Sequence, residues 1–114
     1  MLKVDVRDEG PVTILEVSGQ LVLRDGGRPL HDAVSAQLER DRKRLVVDLS
    51  RVDAMDSLGI GDLVGAYTIV SRRGGALKLL RPSKKIKLLM EITALDQLFE
   101  VFSEEGDALG SFLS

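Results

Sequence analysis

The sequence predicts an α/β domain: a mixed sheet of about five strands with an N-terminal antiparallel hairpin, and about four helices. Three observations carry this reading. The opening residues alternate apolar and polar with a period of two, as a half-buried strand does. Short apolar runs recur at residues 45–49 and 76–80, the pattern of strands covered on both faces. Between these runs the apolar residues follow helical spacing, and strands alternating with helices imply a largely parallel sheet with right-handed crossovers.

The elements follow in order. Leu2, Val4 and Val6 alternate with Lys3, Asp5 and Arg7. Glu9-Gly10-Pro11 makes a turn, and residues 12–23, rich in β-branched and aliphatic side chains, complete a hairpin. The stretch 24–29 breaks the strand, and Pro29 suits a first helical turn because its missing N–H costs nothing there. Leu30, Ala33, Val34 and Leu38 then form one apolar stripe. After the strand at 45–49, a helix is predicted over 57–73, ending at Gly74-Gly75 in a left-handed cap. A strand at 76–80 follows. Ser83 is positioned as the N-cap of a helix carrying Ile86, Leu89 and Met90. Residues 98–102 read as the last strand and 104–113 as a terminal helix.

Composition narrows the function. At 114 residues the chain has room for one core, so a single domain over 1–114 is expected. A formal charge of −2 gives no basic stripe for nucleic acid. With no cysteine, disulfides, thiol catalysis and thiolate zinc sites are excluded. The N-terminus has no apolar signal core and no stretch is long enough to span a bilayer. A cytoplasmic protein without membrane contact is expected.

The informative segment is Val52-Asp53-Ala54-Met55-Asp56-Ser57-Leu58-Gly59-Ile60-Gly61. It lies where a buried strand passes into a helix, and partners of such sheets tend to meet the carboxyl ends of the strands. Ser57, at the helix start, is expected to cap it or to accept a phosphate; Asp56 beside it would repel that phosphate. Gly59, Gly61 and Gly65 each cost roughly 1 kcal/mol relative to Ala inside a helix. They serve close packing or leave a bare surface for a partner. On a helical projection Ile60, Leu63, Val64, Tyr67 and Val70 face the sheet. Leu58, Asp62, Gly65, Ile69 and Arg72 fall on the outer face, where Leu58 and Ile69 would form an apolar docking patch.

At this point the sequence resembles the STAS domain family, specifically bacterial anti-sigma factor antagonists. The matching residues are Val46-Val47-Asp48-Leu49-Ser50, Met55-Asp56-Ser57-Leu58-Gly59-Ile60-Gly61 and Arg73-Gly74-Gly75-Ala76-Leu77-Lys78-Leu79, and the likeness covers essentially the whole chain. The resemblance implies that Ser57 is the phosphoacceptor of a serine kinase that is also the anti-sigma factor. The unmodified chain would bind this partner and free the sigma factor; phosphorylation would break the complex and a serine phosphatase would restore it. The partner-binding set is then Asp56, Leu58, Gly59, Asp62, Gly65 and Ile69. Two positions depart from the common pattern: Leu58 stands where many relatives have Ser, Thr or Ala, and Val22 where many have an acidic residue, with Asp25 the next carboxylate.

Rival readings are weaker. His31 is the only histidine and is expected on an exposed helix face; no histidine follows Ser57 to act as its base. Gly59-x-Gly61 lacks the Lys-Ser/Thr of a P-loop. Glu104-Glu105 reads as a solvated helix start, and Lys84, Lys85 and Lys87 as a solvated helix face. No enzyme activity, cofactor or metal site is expected. A STAS scaffold that binds without being phosphorylated remains the alternative, with weak self-association as a further open outcome.

Overall fold

A computed structural model describes residues 2–24 and 26–113. Five strands are hydrogen-bonded in sequential order: β1 (Lys3–Glu9), β2 (Val12–Leu21), β3 (Arg44–Met55), β4 (Ala76–Leu80) and β5 (Val101–Phe102). β1 pairs antiparallel with β2, Lys3 facing Ser18, and every later pairing is parallel. The helices are α1 (Pro29–Glu39), α2 (Ser57–Arg72), α3 (Lys84–Ile92) and α4 (Glu105–Gly110), with a 3₁₀ turn at Leu95–Gln97. This is the predicted mixed α/β sheet with its opening hairpin.

Sequential strand order has a consequence for the layers. Crossovers of one hand, each stepping in the same direction, put their helices on one face of the sheet. Accordingly Leu45, Val47, Leu49, Leu77 and Leu79 pack with α1, α2 and α3 residues such as Val34, Leu63, Val70 and Met90. The intervening residues Val46 and Leu80 point the other way, where Ala108 of α4 covers them with Val12 and Ile14. α4 is tied down by Arg7–Glu105 and by Lys78, whose Nζ donates to Ser111 Oγ at 2.8 Å and lies 4.3 Å from the Phe112 ring centroid.

Several boundaries differ from the sequence reading. β3 runs to Met55 instead of stopping at Leu49, because β2 follows it in parallel through two register shifts as far as Leu21 opposite Met55. The last strand shrinks to Val101–Phe102, since Leu95 and Phe99, four residues apart, are both buried through a turn that alternation cannot provide. Val6 stays exposed because β1 is the sheet edge. Asp25 lies outside the described residues.

Candidate partner-binding site around Ser57

The carboxyl end of β3 passes into α2 with no intervening loop, and the reason is a tight contact. The Asp56 N–H donates to Leu21 O at 3.2 Å, and the Gly59 backbone rests on the same carbonyl. A Cβ on Gly59 would sit 1.9 Å from Leu21 O, a distance no side chain can occupy. The glycine therefore fixes how closely α2 approaches the end of β2.

Asp56, not Ser57, is the N-cap. Its Oδ1 accepts from Gly59 N at 2.8 Å, and both oxygens accept from Leu23 N at 3.2 Å. One carboxylate thus closes α2 and holds the chain leaving β2. The Gly59 hydrogen bond, helped by that from Leu23 and by the nearby charge of Arg24, holds the Asp56 carboxyl below the usual carboxylate range despite partial burial. The sequence left the capping role with Ser57. It falls instead to the residue before it, whose extended backbone (φ −99°, ψ −178°) aims its carboxylate along the helix axis.

Ser57 is consequently the first helical residue, exposed, with no side-chain hydrogen bond among the described residues. Leu58 beside it is 55% exposed and Gly61 is open to solvent. A Cβ on Gly61 or Gly65 would meet nothing within 4 Å, so neither glycine is required by packing.

The expected partner-binding set is corrected at three positions, two of which, Asp62 and Ile69, lay on the outer face of the helical projection. Asp62 is 3% exposed and faces α1, accepting from Leu30 N at 2.8 Å and His31 N at 2.9 Å. Its carboxylate is buried, with both oxygens engaged inside the fold. Gly59 is buried beneath Leu21. Ile69 is half-buried, packs against the core and lines a groove with His31, Leu38 and Arg72 between α1 and α2. Eleven helical residues separate it from Leu58, about 16 Å along the axis. Leu58 and Ile69 do not form one patch. The cause is α1: α2 is covered by both the sheet and its neighbouring helix, so its buried stripe, Gly59, Asp62, Leu63, Ala66 and Val70, is wider than a sheet-facing face.

His31 also differs from expectation. Its side chain is only 21% exposed, and its Nδ1 lies 3.6 Å from Asp32 in the α1–α2 groove. Among the described residues no cluster of three or more His, Cys, Asp or Glu could hold a metal ion. No helix there is long and apolar enough to cross a membrane.

The family model described as the STAS domain matches residues 3–108. The chain belongs to the STAS domain family. This STAS domain is 22% identical over 108 residues to the anti-sigma F factor antagonist of Paenibacillus polymyxa, covering 95% of this chain and 92% of the relative. It is 37% identical over 67 residues to the anti-sigma-B factor antagonist of Listeria monocytogenes, covering 59% of each chain. Its fold is similar to the crystal structure of an anti-sigma factor antagonist from Mycobacterium paratuberculosis, with a TM-score of 0.85 and 23% identity over 100% of this chain and 96% of the other.

Proposed function

We propose that this STAS domain is an anti-sigma factor antagonist controlled at Ser57. The unmodified chain binds an anti-sigma factor that is also a serine kinase, and thereby releases a sigma factor in the cytoplasm. Transfer of phosphate to the Ser57 hydroxyl ends that binding, and a serine phosphatase restores it. The relatives named as antagonists of anti-sigma factors support the reading.

The observation that carries it is the division of labour between Asp56 and Ser57. Because Asp56 already caps α2, the Ser57 hydroxyl has no structural duty and points out of the fold. A phosphate placed there finds the N-terminal donor Gly59 N–H already used and a carboxylate next to it. Without a pocket to settle into, it changes the surface that a partner meets. Asp56 then holds the helix end, Leu58 is the apolar contact, and Gly61 and Gly65 leave the helix bare for close approach. Incubation with ATP and a candidate anti-sigma serine kinase, followed by intact-mass measurement, tests this. Wild type should gain one phosphate and Ser57→Ala none.

The exposed side chain of Leu58 favours a second reading, a scaffold that binds its partner through Leu58 without modification. That reading prevails if wild type captures the partner yet never gains phosphate.

A further inference from the structure

One edge of the sheet is β1, seven residues long, whereas the opposite edge, β5, has only two. Gly10, at φ 63°, and Pro11 make a two-residue turn, so Glu9 and Val12 close the hairpin as a hydrogen-bonded pair. Hydrogen-bonded and non-bonded pairs alternate from there. Arg7, Asp5 and Lys3 therefore bond to β2, and the backbone groups of Val4, Val6 and Asp8 point outward. Among the described residues these groups take no backbone partner. In the middle of this edge the Val6 side chain is 44% exposed. An apolar residue on a long, unpaired edge is a site for pairing with another strand unless the flanking charges prevent it.

Here the charges select one strand. Lys3, Asp5, Arg7 and Glu9 lie on one face of β1 and alternate in sign. In an antiparallel pairing about Val6 with a second copy, Lys3 stands opposite Glu9 of that copy, Asp5 opposite its Arg7, and Val6 opposite its Val6. Opposite charges and an apolar pair in these positions are each stabilising. Sliding the register by two residues sets Asp5 against Asp5 and Lys3 against Arg7, or Arg7 against Arg7 and Asp5 against Glu9. All of these contacts are repulsive. Sliding it by one residue inverts one sheet relative to the other and turns inward-bonded groups toward the edge. The self-pairing register is thus favoured and its neighbours are opposed. Within the chain the Lys3–Asp5 contact, at 3.6 Å, is an exposed pair of little energetic worth, so both side chains are free to exchange partners. Arg7 is held in place over this edge by Glu16 at 3.3 Å and by Glu105.

We propose that the β1 edge is a self-association surface, pairing antiparallel about Val6 with β1 of a second copy and joining two five-stranded sheets into one. Ser57 follows β3, which lies two strands, or about 10 Å, inward from this edge, so the pairing does not rest on the state of the serine. Sedimentation equilibrium of the full chain, from micromolar to millimolar concentration, tests it. Wild type should form a concentration-dependent dimer. Val6→Pro removes an outward N–H and leaves the bonds to β2 in place, a change that edge strands tolerate. It should weaken dimerisation by about tenfold or more while the circular dichroism spectrum stays that of wild type. Lys3→Glu and Glu9→Lys should each weaken it by a similar factor, because like charges then meet at both ends of the pair. Mixed in equal amounts, these two variants should associate as wild type does, since each supplies the charge the other has lost. A wild type that stays monomeric, undiminished dimerisation by a folded Val6→Pro, or a mixture that associates no better than its components would each overturn the proposal. If Val6→Pro does not fold, the mixture decides.

Discussion

The carboxylate of Asp62, inside α2, accepts the backbone N–H of Leu30 at 2.8 Å, in the first turn of α1. Its second oxygen takes the N–H of His31 at 2.9 Å. α1 has no capping side chain of its own: Arg28 at its N-cap makes no such bond, and Pro29 has no N–H to satisfy. The donors a local cap would serve are served from the neighbouring helix. A negative charge at the positive end of α1 adds to the effect. Asp62 therefore joins the helix that carries Ser57 to the helix beside it.

Removing this carboxylate leaves two covered N–H groups without an acceptor. Asp62→Ala should cost about 2–3 kcal/mol, the range for charge-assisted hydrogen bonds. For a chain of this length that lowers Tm by on the order of 10 °C. Asp62→Asn retains one acceptor oxygen and should fall between. Thermal denaturation followed by circular dichroism reads the series, and an unchanged Tm for Asp62→Ala would show that α1 is held by its apolar stripe alone.

The glycines of α2 should separate sharply. Gly59→Ala forces a methyl group to within 1.9 Å of Leu21 O, so α2 must lift from the end of β2 or the domain must unfold. Gly61→Ala meets open space and replaces a poor helix former. It should raise stability by up to about 1 kcal/mol. Urea denaturation of the two variants checks this, and similar midpoints would refute the close-approach role of Gly59. If Gly61→Ala gains stability but loses the partner, bareness at that position serves binding.

Much of this was legible from residue patterns. The alternation in β1, the buried runs in β3 and β4, and the caps at Ser83 and Gly74 are local signals, and each appears where its chemistry places it. The Asp56-Ser57 step was also visible. What could not be read was the part α1 plays. A helical projection assumes one buried side, yet α2 has two, so Asp62 was assigned to the outer face when it is enclosed. A carboxylate at the sixth helical position, four residues before the apolar Ala66, carried no signal that its partner lay some thirty residues earlier. The left-out stretch of β3 was hidden for another reason: Arg51 and Asp53 look like loop residues, but they occupy the uncovered polar side of a strand.

Acid should loosen the junction at Asp56. Its folded pKa is depressed, chiefly by the Gly59 N–H, so the stabilisation it gives is fully present above the unfolded value of about 3.9. It is lost as pH falls through the lower folded value. Hydrogen exchange at Leu23 and Gly59, corrected for intrinsic rates, should therefore speed up relative to other amides only below about pH 4. In Asp56→Asn the same two amides should show no such step. A step that persists in the variant would assign it to another carboxylate.

The last prediction separates folding from binding at Ser57. Since Asp56 supplies the cap, Ser57→Ala removes an exposed hydroxyl with no hydrogen bond among the described residues, and Tm should move by no more than about 2 °C. Ser57→Asp adds a charge beside Asp56 while the helix dipole partly offsets the repulsion, so its Tm should also stay close to wild type. Binding should respond differently. Ser57→Ala keeps the unmodified surface and should bind the anti-sigma partner as wild type does, whereas Ser57→Asp should weaken it by about tenfold or more. Leu58→Lys should weaken both backgrounds, because that contact is apolar whatever the state of the serine. Calorimetric titration of wild type and these variants with the purified partner gives the affinities. Loss of fold in Ser57→Ala would make the serine structural, and undiminished binding by Ser57→Asp would remove charge at this position as the switch.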